Sequence, residues 1–175
     1  SDKNNCTVNQ SISINEPPSL TFSLATVDVL CNGTNTGSAN ITVTGGTPPY
    51  NYTWQPTGIA GNSPNATNLY AGSYSVSVTD NNNCTVNASF TINEPPLLTV
   101  SYTSKDVNCF GGNDGNINIS TSGGTQPIFY NWSPNVSSSN IADNLVAGIY
   151  SVTVSDNKGC NTVLQININQ PPILV

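Results

Sequence analysis

Short stretches in which polar and apolar residues alternate run the length of the chain. Ser73-Tyr74-Ser75-Val76-Ser77-Val78-Thr79 is one of them, and Ile41-Thr42-Val43 and Ile117-Asn118-Ile119 follow the same rule. A period of two puts every second side chain on one face of a β-strand. Gly45-Gly46 and Pro48-Pro49 lie between such stretches and supply turn chemistry. In the first half of the chain the pattern predicts strands near 19–27, 37–44, 50–55, 72–79 and 84–93, with weaker pairing near 66–69. Gly, Pro and Asn interrupt every run longer than about ten residues, so no amphipathic helix is predicted. Nothing approaches the roughly 18 apolar residues of a transmembrane helix. Half-apolar strands at regular spacing bury their apolar faces most simply as two facing sheets. The fold class is therefore all-β, an antiparallel sandwich.

The pattern also repeats. INEPP occurs at Ile14–Pro18 and Ile92–Pro96, and INQPP at Ile168–Pro172. Between these marks two copies align almost without gaps. Cys31-Asn32-Gly33 matches Cys109-Phe110-Gly111, Gly45-Gly46-Thr47 matches Gly123-Gly124-Thr125, and Trp54 matches Trp132. After a two-residue deletion, Leu69-Tyr70-Ala71-Gly72-Ser73-Tyr74 pairs with Leu145-Val146-Ala147-Gly148-Ile149-Tyr150, Asp80 with Asp156, and Cys84 with Cys160. Fixed offsets of this kind mark a tandem array of structural units. Residues 19–96 form one sandwich repeat, and 97–175 form a second plus the start of another copy. Residues 1–18 read as the last strand of a preceding repeat, a tail or linker. Trp54 and Trp132 fall on the third strand, where Ig-like sandwiches keep a buried aromatic, and Leu69-x-Ala71-Gly72-x-Tyr74 has the placement of a tyrosine corner.

The cysteines sort by the repeat. Cys31 with Cys84, and Cys109 with Cys160, occupy matching positions, which predicts one disulfide within each copy. Free buried thiols or a metal site are the alternatives. The absence of His, of CxxC and of tight clustering disfavours zinc. Cys6 matches Cys84, so its expected partner belongs to a copy outside the chain. Closing a loop of this size stabilises a small sandwich by roughly 3–5 kcal/mol. Disulfides of this kind persist in an oxidising setting, which predicts a secreted, extracellular or cell-surface location.

Composition narrows the partners. Charged residues make up 7%, with Lys and Arg together only 3 against 9 acidic residues and a net charge of −6. Binding to nucleic acid or anionic membranes needs cations that the chain lacks. Neither partner is predicted, and no membrane insertion.

The string Val29-Leu30-Cys31-Asn32-Gly33, then Gly45-Gly46-Thr47-Pro48-Pro49-Tyr50-x-Tyr52-x-Trp54, then Leu69-x-Ala71-Gly72-x-Tyr74-x-Val76-x-Val78-x-Asp80 and Cys84 resembles the SprB-type repeat. The second copy carries the same string, with Gln126-Pro127-Ile128 in place of Pro-Pro-Tyr. That family occurs in very large secreted surface proteins of gliding and related Bacteroidetes. The resemblance implies export to the cell surface and a place in long adhesive or filamentous proteins. It implies no catalytic residues.

Little else in the chain carries chemistry. Without His, acid–base work would fall to carboxylates or Lys. Asp80 and Asp156 instead stand where Asx-turns need them, before a cysteine. A Ca²⁺ site using Glu94, Asp106 or Asp114 has the right oxygen ligands but no EF-hand or RTX-type spacing. No catalytic, cofactor or metal residue is assigned, and no cofactor is implied. Asn-x-Ser/Thr sequons are numerous, and Asn40, Asn118, Asn65 and Asn135 are the candidate glycosylation sites. A chain this rich in Asn, Ser and Thr also makes sequons by chance. The leading functional reading is a non-enzymatic structural module of a surface filament, stalk or adhesin, its partners neighbouring repeats or identical subunits in a linear array or fibre, with glycans as a further partner. The alternative is a glycan- or surface-binding module using exposed Tyr50, Tyr52, Tyr70, Phe110 or Phe129.

Overall fold

The computed structural model describes residues 3–174. Ser1, Asp2 and Val175, the outer limits of the predicted first and last segments, lie outside the described residues. Twelve strands fall into two sets of six. Repeat one holds β1 (Thr21–Val27), β2 (Gly37–Thr44), β3 (Asn51–Gln55), β4 (Asn65–Leu69), β5 (Gly72–Thr79) and β6 (Thr85–Ile92). Repeat two holds β7 (Thr99–Lys105), β8 (Gly115–Ser122), β9 (Phe129–Ser133), β10 (Ile141–Leu145), β11 (Gly148–Ser155) and β12 (Asn161–Ile168). The strands lie where the alternation placed them, and the weak stretch near 66–69 is a full strand.

Each repeat packs two three-stranded antiparallel sheets. In repeat one these are β1-β2-β4 and β3-β5-β6, and in repeat two β10-β8-β7 and β12-β11-β9. This is the Ig-like arrangement with a reduced strand set. The alternating residues meet between the sheets: Ile41, Trp54, Val76, Val78 and Ile92 are buried in one core, and Ile117, Trp132, Val152, Val154 and Ile168 in the other. Both tryptophans are 3% exposed. The indole N–H of Trp54 donates to Ser63 O at 2.8 Å and that of Trp132 to Ser139 O at 2.9 Å, so neither ring leaves a buried donor unsatisfied. The tyrosine corners are present too. Tyr74 Oη donates to Tyr70 O at 2.9 Å, and Tyr150 Oη to Val146 O at 3.0 Å.

One connection sets the directions of everything else. The residues between β3 and β4 run back beside β3 before β4 begins. Tyr52 N–H donates to Asn62 Oδ1 at 2.7 Å, Trp54 reaches Ser63, and Ile41 N–H donates to Pro64 O at 2.9 Å. Both β3 and β4 therefore run in the same sense. Each repeat consequently has a leading end and a trailing end. The leading end carries the start of β1, the β2–β3 turn and the β5–β6 turn, tied by Gly46 N–H to Pro18 O at 2.8 Å and Asn81 N–H to Thr47 O at 2.8 Å. The trailing end carries the β1–β2 loop and the exit of β6, tied by Val29 N–H to Asn93 O at 3.1 Å.

The tail does not form the strand predicted for it. Residues 5–18 have no regular structure, and Val8, Ile12 and Ile14 are exposed. They match Val86, Phe90 and Ile92 of β6, whose inner residues are covered by the sheet opposite. The tail has no such sheet beside it here.

Candidate functional site at the repeat junction

The predicted disulfides are not the one observed. Cys31 is bonded to Cys160, across the boundary between repeats, with 129 residues between them and a Cα–Cα distance of 5.6 Å. Cys84 and Cys109 are exposed free thiols, and Cys6 is exposed. The correction has a simple cause. Cys31 lies on the trailing end of its sandwich and Cys84 on the leading end, separated by the length of an eight-residue strand, about 26 Å at ~3.3 Å per residue. A disulfide needs Cα atoms within about 7 Å. Cys109 and Cys160 are kept apart in the same way. Stacking in tandem brings the trailing end of repeat one against the leading end of repeat two, and there Cys31 meets Cys160.

Each half of the junction is built by its own backbone. On the trailing side, Val29 is buried and anchors the β1–β2 loop. Asp28 Oδ1 accepts from Asn93 N–H at 2.8 Å, which pins the loop to the exit of β6. The loop then turns at Gly33, whose φ of 72° only glycine adopts without strain. Gly33 N–H donates to Glu94 Oε2 at 2.8 Å, and Asn32 Nδ2 to Pro95 O at 3.1 Å. These bonds tie the cysteine loop to the linker that leads into repeat two. At the far end of repeat two, Gln170 takes the place of Glu94: Gly111 N–H donates to its Oε1 at 2.9 Å. A neutral amide thus makes the same hydrogen bond there.

On the leading side the organiser is Asp156, one of two buried charged residues among those described, together with its counterpart Asp80. Asp156 Oδ1 accepts from Lys158 N–H and Cys160 N–H, both at 2.9 Å, and Oδ2 from Thr125 N–H at 2.9 Å. Asp80 binds Asn82 N–H, Cys84 N–H and Thr47 N–H in the same way. These are the Asx-turns that the sequence suggested, extended to a second loop. Burial pushes the Asp156 carboxyl up, but the N–H groups of Thr125, Cys160, Lys158 and Gly159 outweigh it and leave the group below the ordinary value. For Asp80 the Thr47 N–H contributes most to holding the carboxyl low, against burial, with Cys84 and Asn82 adding to it.

A cleft of about 300 Å³ lies over the bond, bordered by Cys31, Asn32, Pro95, Leu98, Asp156 and Cys160.

The other sequence candidates are scattered. Glu94 sits at the junction, while Asp106 and Asp114 lie on the trailing end of repeat two, so the three do not converge. Asp106 caps Asn169 N–H at 2.8 Å, and Asp114 is paired with Lys105 at 3.0 Å. Among the described residues no group of three or more His, Cys, Asp or Glu is placed to hold a metal ion. Asn40 and Asn65 are exposed neighbours across β2 and β4, joined by a side-chain hydrogen bond. Asn135 is exposed, and Asn118 is half-buried beside Asn140. Of the aromatics, Tyr50 and Tyr52 are half-buried against the core. Tyr70, Phe110 and Phe129 are exposed, but they stand on the trailing end of repeat one, the trailing end of repeat two and the leading end of repeat two. They form no shared platform. No helix among the described residues is long and apolar enough to cross a membrane.

The architecture defines a tandem Ig-like sandwich protein whose units are stapled end to end. Within it, the SprB repeat model matches residues 23–58 and 101–137, once in each sandwich. A search of curated protein sequences found no match. Among solved structures the chain is similar to the N-terminal eight Ig domains of Down Syndrome Cell Adhesion Molecule isoform 1.30.30, at 13% identity and a TM-score of 0.47, covering 89% of this chain and 25% of that one. It is also similar to the amphioxus IgVJ-C2 molecule, at 11% identity and a TM-score of 0.36, covering 89% of this chain and 99% of that one. The chain thus spans about a quarter of the cell adhesion molecule structure.

Proposed function

We propose that the chain is a segment of a non-enzymatic, extracellular repeat protein that serves as a stiff stalk or filament on a cell surface. The observation that carries this reading is the Cys31–Cys160 bond across the junction. A polypeptide linker alone leaves two sandwiches free to swing. Here the junction is crossed by both the Pro95-Pro96 linker and a disulfide, and both are tied to the same loop. Prolines restrict the linker backbone further. The SprB matches and the need of a disulfide for an oxidising compartment support a surface location. Under this reading residues 3–18 correspond in sequence to the last strand of a preceding repeat, and 171–174 to the opening of a following one. The dispersed aromatics give the glycan-binding alternative no observation to stand on. Glycans on Asn40, Asn65 or Asn135 are compatible with the exposure of these residues and belong to the same reading, while Asn118 is half-buried.

The test is the intact mass of the secreted natural protein, before and after reduction. A mass far above 18.3 kDa that persists on reduction is the expected result. A mass near that value, with no larger covalent species, would overturn the array.

A further inference from the structure

The two free thiols lie on surfaces that the internal junction already shows in their bonded state. Cys109 occupies in repeat two the position of Cys31 in repeat one, and Cys84 that of Cys160. Their loops have the bonded conformation. Gly112 N–H donates to Cys109 O at 3.0 Å, as Thr34 N–H does to Cys31 O at 3.2 Å, and Gly33 and Gly111 share a φ of 72°. Asp80 N–H donates to Cys84 O at 3.0 Å, matching Asp156 N–H to Cys160 O at 3.0 Å.

A second observation says what covers these ends. Leu20 and Leu98 each open a repeat and are 7% and 9% exposed. Leu174, at the same position after the third Pro-Pro, is 98% exposed beside Phe110 and Cys109. At the other end Ile14 is 94% exposed, while its equivalents Ile92 and Ile168 are 1% exposed. Residues that are core in every complete repeat are thus bare at both ends of this chain, and Leu174 lies beside the unbonded Cys109 loop. The cover they match is a further copy of the same repeat.

We infer that Cys109 and Cys84 are the half-cystines of two further inter-repeat disulfides. Cys109 bonds to the β5–β6-turn cysteine of a following repeat, and Cys84 to the β1–β2-loop cysteine of a preceding one. Each repeat then gives one cysteine forward and one back, and an array is stapled at every junction. Each bond forms by exchange with a small-molecule disulfide: two protein thiols pass their hydrogens and two electrons to it, giving one protein disulfide and two small thiols. The inference rests on the repeat-array reading, and it makes a separate claim about which sulfurs pair.

The experiment uses a four-repeat chain in which residue 168 of one copy is followed by residue 15 of the next. This keeps the Asn-Glu-Pro-Pro linker in register and supplies the missing neighbour. The chain is refolded in oxidised and reduced glutathione, free thiols are alkylated, and disulfide-linked peptides are mapped without reduction. The expected map contains Cys31–Cys160 in each copy and one new bond, Cys109 of the first copy to Cys84 of the second. Alkylated Cys109 and Cys84 at the join, or Cys109 bonded to any loop cysteine, would overturn it. The same map on the secreted natural protein supplies a second reading that does not depend on refolding. A long natural array with a free Cys109 would sink the inference and leave the array reading standing.

Discussion

Replacing both bonded cysteines, Cys31→Ser with Cys160→Ser, tests the junction most directly. Each repeat has its own core, so the bond does not hold either sandwich together from inside. It acts when one repeat unfolds beside a folded neighbour. If repeat one unfolds, its chain remains held at Cys160 and at Leu98, where it joins repeat two. That closes a loop of about 70 residues. The chain-entropy relation gives about 4 kcal/mol for such a loop, and nearly the same if repeat two unfolds first. For a domain of this size about 4 kcal/mol corresponds to a fall in Tm of roughly 15–30 °C. Urea titration of the double variant, followed by tryptophan fluorescence, should show the first transition moved down by that amount with its slope kept. The companion variant Cys84→Ser with Cys109→Ser should stay within about 0.5 kcal/mol of the parent, since both side chains are exposed and unbonded. If the companion loses as much as the first variant, the bonds run within repeats and the junction reasoning fails.

Three further outcomes follow from the same geometry. The carboxyls of Asp80 and Asp156 sit below their ordinary value of 3.8 when folded, so their contribution to stability is complete above that pH and lost as pH falls from there through the folded pKa. Urea midpoints should therefore drop on acidification below about pH 4, and Asp80→Asn with Asp156→Asn should flatten that drop; an unchanged acid limb would contradict the assignment. Gly123→Ala places a Cβ 2.0 Å from Leu97 O at a φ of 73°, whereas Gly111→Ala at a φ of 72° meets nothing within 4 Å. The first should cost several times the about 1–2 kcal/mol of left-handed strain expected for the second, and equal losses by thermal melting would refute the close approach. Trp54→Ala removes a ring that is 3% exposed and should cost about 3–5 kcal/mol, read as a lower urea midpoint for repeat one while repeat two keeps its own.

The strands were legible because their alternation is local. Ser73–Thr79 and Ile117–Ile119 each need only one buried face, and neighbours in sequence supply the pattern. The buried tryptophans and the tyrosine corners followed from the repeat and the spacing around it. The pairing of cysteines was not legible, because it depends on which end of the sandwich each loop occupies. Counting turns in an up-and-down order puts the β1–β2 loop and the β5–β6 turn at one end. The segment before Asn65, with Asn62 and Ser63 laid beside β3, runs the length of the sheet without being a strand and reverses that count. Matching positions in two copies then indicated which cysteines are equivalent, and gave no information on which are near. The tail reads as a strand, tail or linker from its match to the end of a later copy, and a strand also needs a sheet to pair with.

The position of the disulfide also decides where a pulling force travels. Tension between the leading end of repeat one and the trailing end of repeat two enters along β1, reaches Cys31, crosses to Cys160 and leaves along β12. Residues 32–159 hang from that route as a closed loop and bear none of the pull. Stretching can peel only the two terminal strands, about 20 residues and on the order of 70 Å of slack at ~3.4 Å per residue. Without the bond, the same pull could draw out nearly the whole chain, on the order of 500 Å. Oxidation therefore turns an extensible string of domains into a tether of almost fixed length, whose limit is set by covalent bonds and not by the stability of its folds.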